Sequence, residues 1–63
     1  MRDPKRLDKF YDRLKELHKK EVPDWRVGQL FINLYRWIEY EENIDMYFLE
    51  EDRLIELIEK FLT

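Results

Sequence analysis

The sequence predicts an all-α domain, a small three-helix bundle with helices near residues 4–20, 24–40 and 50–62. In three separate segments, apolar residues recur with the 3.6-residue period of an α-helix. Pro and Asp stand together at the starts of the first two segments, where helices commonly begin. Sixty-three residues are enough for one domain only, so residues 1–63 are assigned to a single helical domain.

The first predicted helix begins at Asp3-Pro4, because aspartate is a favoured N-cap residue and proline fits the first helical position. One face of this helix carries Leu7, Phe10, Tyr11, Leu14, Leu17 and His18. His18 forms an i, i+3 pair with Glu21, which is half of a di-metal site of the kind found in helical bundles. The second half is missing, so a partly buried histidine near the helix C-terminus is predicted instead.

The second predicted helix follows Pro23, with Asp24 as its N-cap. It is apolar on most of its circumference, so we expect it to be the central and most buried helix. Its first apolar face consists of Val27, Leu30, Phe31, Leu34 and Ile38, and its second of Trp25, Gly28, Ile32 and Tyr35. A glycine within a helix costs about 1 kcal/mol relative to alanine. We therefore expect another helix or an aromatic ring to pass close to Gly28.

A narrow polar stripe remains on the second helix and is the candidate partner-binding surface. The stripe and its aromatic margins consist of Trp25, Arg26, Gln29, Asn33, Arg36, Trp37 and Tyr40. Guanidinium groups bind carboxylates, amides both donate and accept hydrogen bonds, and Arg, Trp and Tyr are enriched at interface hot spots. Two alternatives remain open: an ordinary solvated strip, and an internal network in which the acidic third helix satisfies both arginines.

The last third of the chain is predicted as a connection followed by a helix. The apolar run Met46–Leu49 is too short for a helix and is expected to extend over the open end of the core. Glu50, Glu51 and Asp52 then favour a helix start, because the helix dipole is positive there. The apolar face of this third helix carries Leu54, Ile55, Leu57, Ile58, Phe61 and Leu62.

The acidic connection partly matches a calcium-binding EF-hand loop. The matching residues are Glu41, Asn43, Asp45 and Asp52. Met46 stands where that loop needs glycine for its sharp turn, so no metal site is predicted.

Charge is divided between the two ends of the chain. Residues 1–20 contain eight basic and four acidic residues, whereas residues 37–63 contain nine acidic and two basic residues. This division predicts attraction between the first and last helices. The alternative is a nucleic-acid accessory protein that binds through Lys5, Arg6, Lys9 and Arg13. The overall charge of −3 makes nucleic acid the less favoured partner.

Several classes of function lack the residues they need. The chain has no Cys or Ser, its one Thr is residue 63, and a single glycine cannot form a phosphate-binding loop. No enzyme activity and no cofactor are therefore predicted.

No apolar run has the length of a membrane span or a secretion signal, so we expect a cytoplasmic location. The favoured function is a non-enzymatic protein–protein interaction module, and small size with ten aromatic residues favours a homodimer over a monomer.

The segment Pro23-Asp24-Trp25-Arg26-Val27-Gly28-Gln29-Leu30, with Asn33 following, resembles a family of short bacterial proteins, YihD-like, that has no established activity. In that family a charged amphipathic helix comes first, and an aromatic-acidic segment and a short helix come last. The resemblance implies a small helical fold and no mechanism. The recurrence of Arg26, Gln29 and Asn33 in the family pattern would favour a contact role for the polar stripe.

Overall fold

A computed structural model describes residues 2–63 of the chain and consists of three α-helices joined by short connections. Helix α1 spans Lys5–Glu21, α2 spans Val27–Tyr40 and α3 spans Glu51–Leu62. A 3₁₀ turn, Met46–Phe48, lies between α2 and α3. Residues 2–63 contain no β-strand. The predicted all-α three-helix fold is confirmed.

The core is formed by leucine and isoleucine side chains from all three helices. Its buried members are Leu14, Leu17, Leu30, Leu34, Ile38, Leu57 and Ile58. All of them belong to the apolar faces that the sequence predicts. Ile38 and Ile58 are completely buried, which places the centre of the core between α2 and α3.

Helix α3, rather than α2, is the central helix. It packs against both α1 and α2, whereas the contact between α1 and α2 is slight. Ten of the fourteen residues of α2 are exposed, against four of the twelve in α3, so the prediction that α2 is the most buried helix is wrong. A helix that is apolar all round is covered only if enough chain surrounds it, and the other two helices of this small domain cover just one strip of α2.

Helix α1 begins at Lys5, one residue after the predicted start and with Pro4 rather than Asp3 as its N-cap, and the start of α2 differs from the prediction by three residues. The Asp3 carboxylate accepts the backbone N–H of Lys5 at 2.9 Å, as expected of a residue before a helix. Asp24 is not the cap of α2, because the residues before Arg26 form a turn closed by the Trp25 N–H on the Val22 carbonyl. Arg26 is the N-cap, and its N–H donates to the Gln29 side-chain oxygen at 2.8 Å.

The connection between α2 and α3 is a 3₁₀ turn rather than the extended segment that the sequence predicts. The chain leaves α2 through Asn43, whose φ of 56° is left-handed and is tolerated by asparagine. The Asp45 carboxylate accepts the Tyr47 N–H at 3.0 Å and so fixes the turn. As a result, Met46 packs against the core while Tyr47 and Phe48 are 85% and 76% exposed.

Ion pairs join the basic first helix to the acidic third helix, as the charge division predicts. Arg6 pairs with Glu51 at 2.8 Å and Arg13 with Glu59 at 2.6 Å. Arg2, before α1, pairs with Glu50. Exposed pairs of this kind contribute little to stability, so their main effect is to fix how α1 lies along α3.

The carboxyl group of Glu51 is expected to make the protein less stable in acid. The pKa of the Glu51 carboxyl is lowered, chiefly by a hydrogen bond from the backbone at the helix start. Desolvation raises this pKa in part, and Arg6 lowers it again. A carboxyl with a lower pKa in the folded state stabilises that state above its ordinary pKa of 4.5 and loses this effect as pH falls further. We therefore expect the free energy of unfolding in urea to fall below pH 4.5, and less so in Glu51→Gln. Glu56→Gln, which removes only a pair within α3, is the control, and equal pH dependence in all three proteins would contradict the prediction.

Candidate interaction surface

Helix α2 leaves a continuous strip of apolar residues uncovered. The exposed fraction is 59% for Val27, 41% for Phe31, 54% for Ile32 and 46% for Tyr35. These four residues and Gly28, here called the apolar face, recur at intervals that place them within about 140° of the helix circumference. Val27 and Phe31 were expected in the core with Leu30 and Leu34, so the structure divides the first predicted apolar face of α2 into a buried part and an exposed part.

Gly28 lies near the N-terminal end of the apolar face and faces open space. A Cβ atom added there would have no neighbouring atom within 4 Å. The expectation that a helix or ring of this chain passes close to Gly28 is therefore wrong. Glycine costs about 1 kcal/mol in a helix, and the fold does not need one at this position. The presence of glycine at position 28 therefore has no explanation within the chain.

The apolar face is large for a protein of this size. Four large apolar side chains, each about half exposed, contribute on the order of 300–400 Å² of accessible apolar surface. The whole of the described chain exposes 5175 Å². Isolated exposed apolar residues are ordinary, whereas a contiguous patch of this size on a monomer is often functional.

Acidic groups lie near the C-terminal end of the apolar face. The pKa of the Tyr35 phenol is raised, chiefly by the neighbouring Glu39 carboxylate, with a smaller effect from Asp45. The same Asp45 begins the 3₁₀ turn that packs beside α2 and carries the exposed Tyr47–Phe48 pair. Much of the Tyr35 ring stays accessible, with an exposed fraction of 46%.

The structure divides the seven residues predicted for partner binding into two groups. Trp25 and Trp37 point inward, with ring centroids 6.2 Å and 5.2 Å from that of Phe61. The other five are exposed, and they are Arg26, Gln29, Asn33, Arg36 and Tyr40. The two tryptophans thus join α2 to α3, and the polar side chains between them face solvent.

The polar stripe is not an internal network. None of the ion pairs within residues 2–63 includes Arg26 or Arg36. The acids of α3 that form ion pairs do so with Arg6, Arg13 and Arg53, and Glu50, just before α3, pairs with Arg2. Going around α2, Arg36 and Gln29 come directly after Ile32 and Gly28, so the stripe borders the apolar face. A contact role for the stripe stays a prediction.

The basic residues of α1 line an open groove with an apolar floor. This groove between α1 and α3 has a volume of about 650 Å³, and Phe10 and Ile55 lie in it. Arg6 and Arg13 reach across it to Glu51 and Glu59. Two of the four basic residues considered for nucleic acid are therefore already paired with carboxylates.

The residues with metal-binding potential have structural roles or lie apart. His18 Nε2 lies 2.8 Å from the Trp25 carbonyl oxygen, a contact that fixes the turn between α1 and α2. Asp45, from the partial EF-hand match, is the cap of the 3₁₀ turn. Across the part of the chain that the structure describes, no three His, Asp or Glu residues gather closely enough to hold a metal ion. None of the helices in that part combines the length and the apolar character of a membrane span.

Comparison with known proteins gives no relative. No family model, no curated protein and no solved structure matches the chain. The resemblance of residues 23–30 to YihD-like proteins accordingly stays a prediction, and the function has to be argued from the residues themselves.

Proposed function

We propose that the protein is a non-enzymatic protein–protein interaction module whose contact surface is the apolar face of α2, with the polar stripe as one edge of that surface. The observation that carries this proposal is the exposure of Val27, Phe31, Ile32 and Tyr35 around the only glycine. Protein interfaces commonly have an apolar centre and a polar rim. The apolar face and the polar stripe have this arrangement.

The surface is well suited to binding because it is held rigid from behind. Leu30, Leu34 and Ile38 fasten one side of α2 into the core, and the Trp25–Trp37–Phe61 cluster fastens a neighbouring side. Side chains on a fixed helix lose less conformational entropy on binding than side chains on a mobile loop, so more of the contact energy appears as affinity.

The polar stripe carries positively charged and amide side chains. Arg36 and Arg26 are cationic and Gln29 and Asn33 are amides, so this edge favours carboxylates and exposed peptide groups on the partner. A nucleic-acid role through α1 has weaker support, since Arg6 and Arg13 pair with α3 and the protein carries a net charge of −3. A gel shift at low salt is expected to show no binding of duplex DNA or RNA.

A photoreactive amino acid tests the proposed surface directly. A benzophenone side chain at position 32, in the cell that makes the protein, should form covalent adducts with protein on irradiation, because Ile32 is in the apolar face. The same group at position 53 is the matched control, since Arg53 is exposed on α3, outside the proposed surface. Equal adduct yields from positions 32 and 53 would contradict the proposal.

A second arm of this experiment tests the polar stripe. Arg26→Ala combined with Arg36→Ala should reduce the adduct yield from position 32 while leaving the melting temperature nearly unchanged, since neither guanidinium group pairs with a carboxylate within residues 2–63. An unchanged adduct yield would remove the stripe from the contact surface. Loss of folding would mean that the stripe stabilises the fold instead.

A further inference from the structure

We propose that the apolar face is covered by a second copy of this chain, in a two-fold dimer whose two α2 helices pack antiparallel. This inference rests on the proposed function, because it requires the apolar face to be a protein contact surface. Three properties of α2 point to a second copy: the position of its glycine, the charges at its two ends, and the area that it exposes.

The glycine and a tyrosine of α2 are spaced to fit each other across a two-fold axis. If the axis passes between positions 31 and 32, Gly28 lies level with Tyr35 of the partner subunit, because each is three and a half positions from the centre. Open space surrounds the missing Cβ of Gly28, and the half-exposed ring of Tyr35 can fill such a space. A two-fold interface uses the same contact twice, so one glycine and one tyrosine per chain serve both ends.

The centre of the same arrangement is apolar. Phe31 and Ile32 of the two copies then meet around the axis, and both side chains are about half exposed in the single chain. The face is thus complementary to itself. Bulky side chains meet at its centre, and on either side of the centre the Tyr35 ring of one copy lies opposite the space beside Gly28 of the other.

The charges at the ends of α2 favour the antiparallel orientation. The first turn of α2 has no acidic residue and its last turn has no basic residue, whereas Glu39 lies near the negative end of its own helix dipole. With the axis between positions 31 and 32, Glu39 of each copy lies just beyond the positive N-terminus of the partner's α2 and level with the exposed Asp24 of the partner subunit, whose carboxylate opposes part of the attraction to the helix dipole. Parallel packing would place the two Glu39 carboxylates next to each other, where they would repel.

The exposed area sets the expected strength of the dimer. An apolar centre of 300–400 Å² per copy, with a polar rim in the usual proportion, corresponds to about 1,000–1,200 Å² buried in total. That is the lower end of the range for specific interfaces, so the dimer should dissociate on dilution. The groove between α1 and α3 is a poorer candidate for self-association because ion pairs already cross it.

Sedimentation equilibrium over a range of about 1 μM to 1 mM measures the dimer. The wild-type mass should rise from the single-chain value of 8.1 kDa towards twice that value. Ile32→Glu should stay at the single-chain mass throughout with an unchanged circular dichroism spectrum. Tyr11→Glu is the matched control, since Tyr11 is 58% exposed on α1, and it should dimerise like the wild type. A wild-type mass of one chain at every concentration would overturn the proposal.

Gly28→Leu separates a contact role of Gly28 from a role in the fold. Because the space beside Gly28 is open and leucine favours helices, the diluted variant should melt at or above the wild-type temperature. Its dimer should weaken at least about tenfold, since the leucine occupies the space for Tyr35 of the partner subunit. Unchanged dimerisation of this variant would contradict the pairing of Gly28 with Tyr35.

Introduced cysteines report the orientation, because the chain has none of its own. Gly28→Cys and Tyr35→Cys, mixed and oxidised, should form the disulfide between the two different variants in excess over either symmetric one. A predominance of symmetric disulfides would overturn the antiparallel arrangement. If the wild type stays monomeric but position 32 crosslinks to another protein, the second copy is excluded while the proposed function stands.

Discussion

Replacing Ile58 with alanine should remove a large part of the stability of this protein. Ile58 on α3 is completely buried between the other two helices, and truncation of a buried isoleucine typically costs about 2–5 kcal/mol through lost burial and the cavity left behind. A domain of this size has only about 3–9 kcal/mol in total. The melting temperature should therefore fall by at least about 10 °C, which thermal unfolding followed by circular dichroism would measure.

The matched control for this substitution is Ile32→Ala, the same chemical change at an exposed position of α2. Ile32 is 54% exposed and makes no part of the core, so the control should change the free energy of unfolding by less than about 0.5 kcal/mol. Both proteins should be measured at about 1 μM, where self-association adds little to the apparent stability. Similar losses in the two variants would mean that Ile58 is not at the centre of the core.

Replacing Phe61 with alanine should have the second-largest effect, because one ring joins three parts of the chain. Phe61 lies at the end of α3. Its ring packs against Trp37 of α2 and against Trp25, which lies in the turn before α2. Its loss should cost about 2–4 kcal/mol, somewhat less than for a fully buried ring, since Phe61 is only partly buried. Tryptophan emission of the folded variant should also shift to longer wavelength as both indoles gain contact with water.

Phe48→Ala is the control for the aromatic cluster. Phe48 is 76% exposed on the 3₁₀ turn and contacts Tyr47, so its removal should leave both the melting temperature and the tryptophan emission nearly unchanged. If Phe61→Ala also left the emission unchanged, the cluster would not be the link between α2 and α3.

The helices and the core could be predicted from the sequence because they depend on local patterns. Leu14 and Leu17 on α1, and Leu57 and Ile58 on α3, lie on faces with a clear 3.6-residue period, and all four are buried. Asp3 before Pro4 marked the first helix start, and its carboxylate accepts the N–H of Lys5. Opposite charges at the two ends of the chain also indicated which helices attract each other.

The coverage of α2 could not be predicted in the same way. Periodicity shows that Val27, Leu30 and Phe31 share a side of the helix, but it does not show which of them another element will cover. In this chain that depends on the central position of α3, which no local pattern specifies. The signal that could have indicated an exposed face was quantitative: α2 carries more apolar circumference than two short helices can cover.

The predicted and observed starts of α2 differ for a related reason. Asp24 and Arg26 both precede the second apolar segment, and residue preference alone favours aspartate as a cap. The turn after α1 occupies Asp24, and the Gln29 side chain then accepts the Arg26 N–H. A cap is chosen by where the chain must turn as well as by its residue type.

The central claim is that the apolar face of α2 is a contact surface for a second copy, and a dilution series followed by ¹H–¹⁵N NMR tests it most directly. Amide signals of residues 27–36 should shift progressively as concentration rises, since their side chains enter the interface. Amides on the outer faces of α1 and α3, such as that of Arg53, should stay unchanged. Signals that do not shift at any concentration, or shifts confined to α1 and α3, would contradict the account.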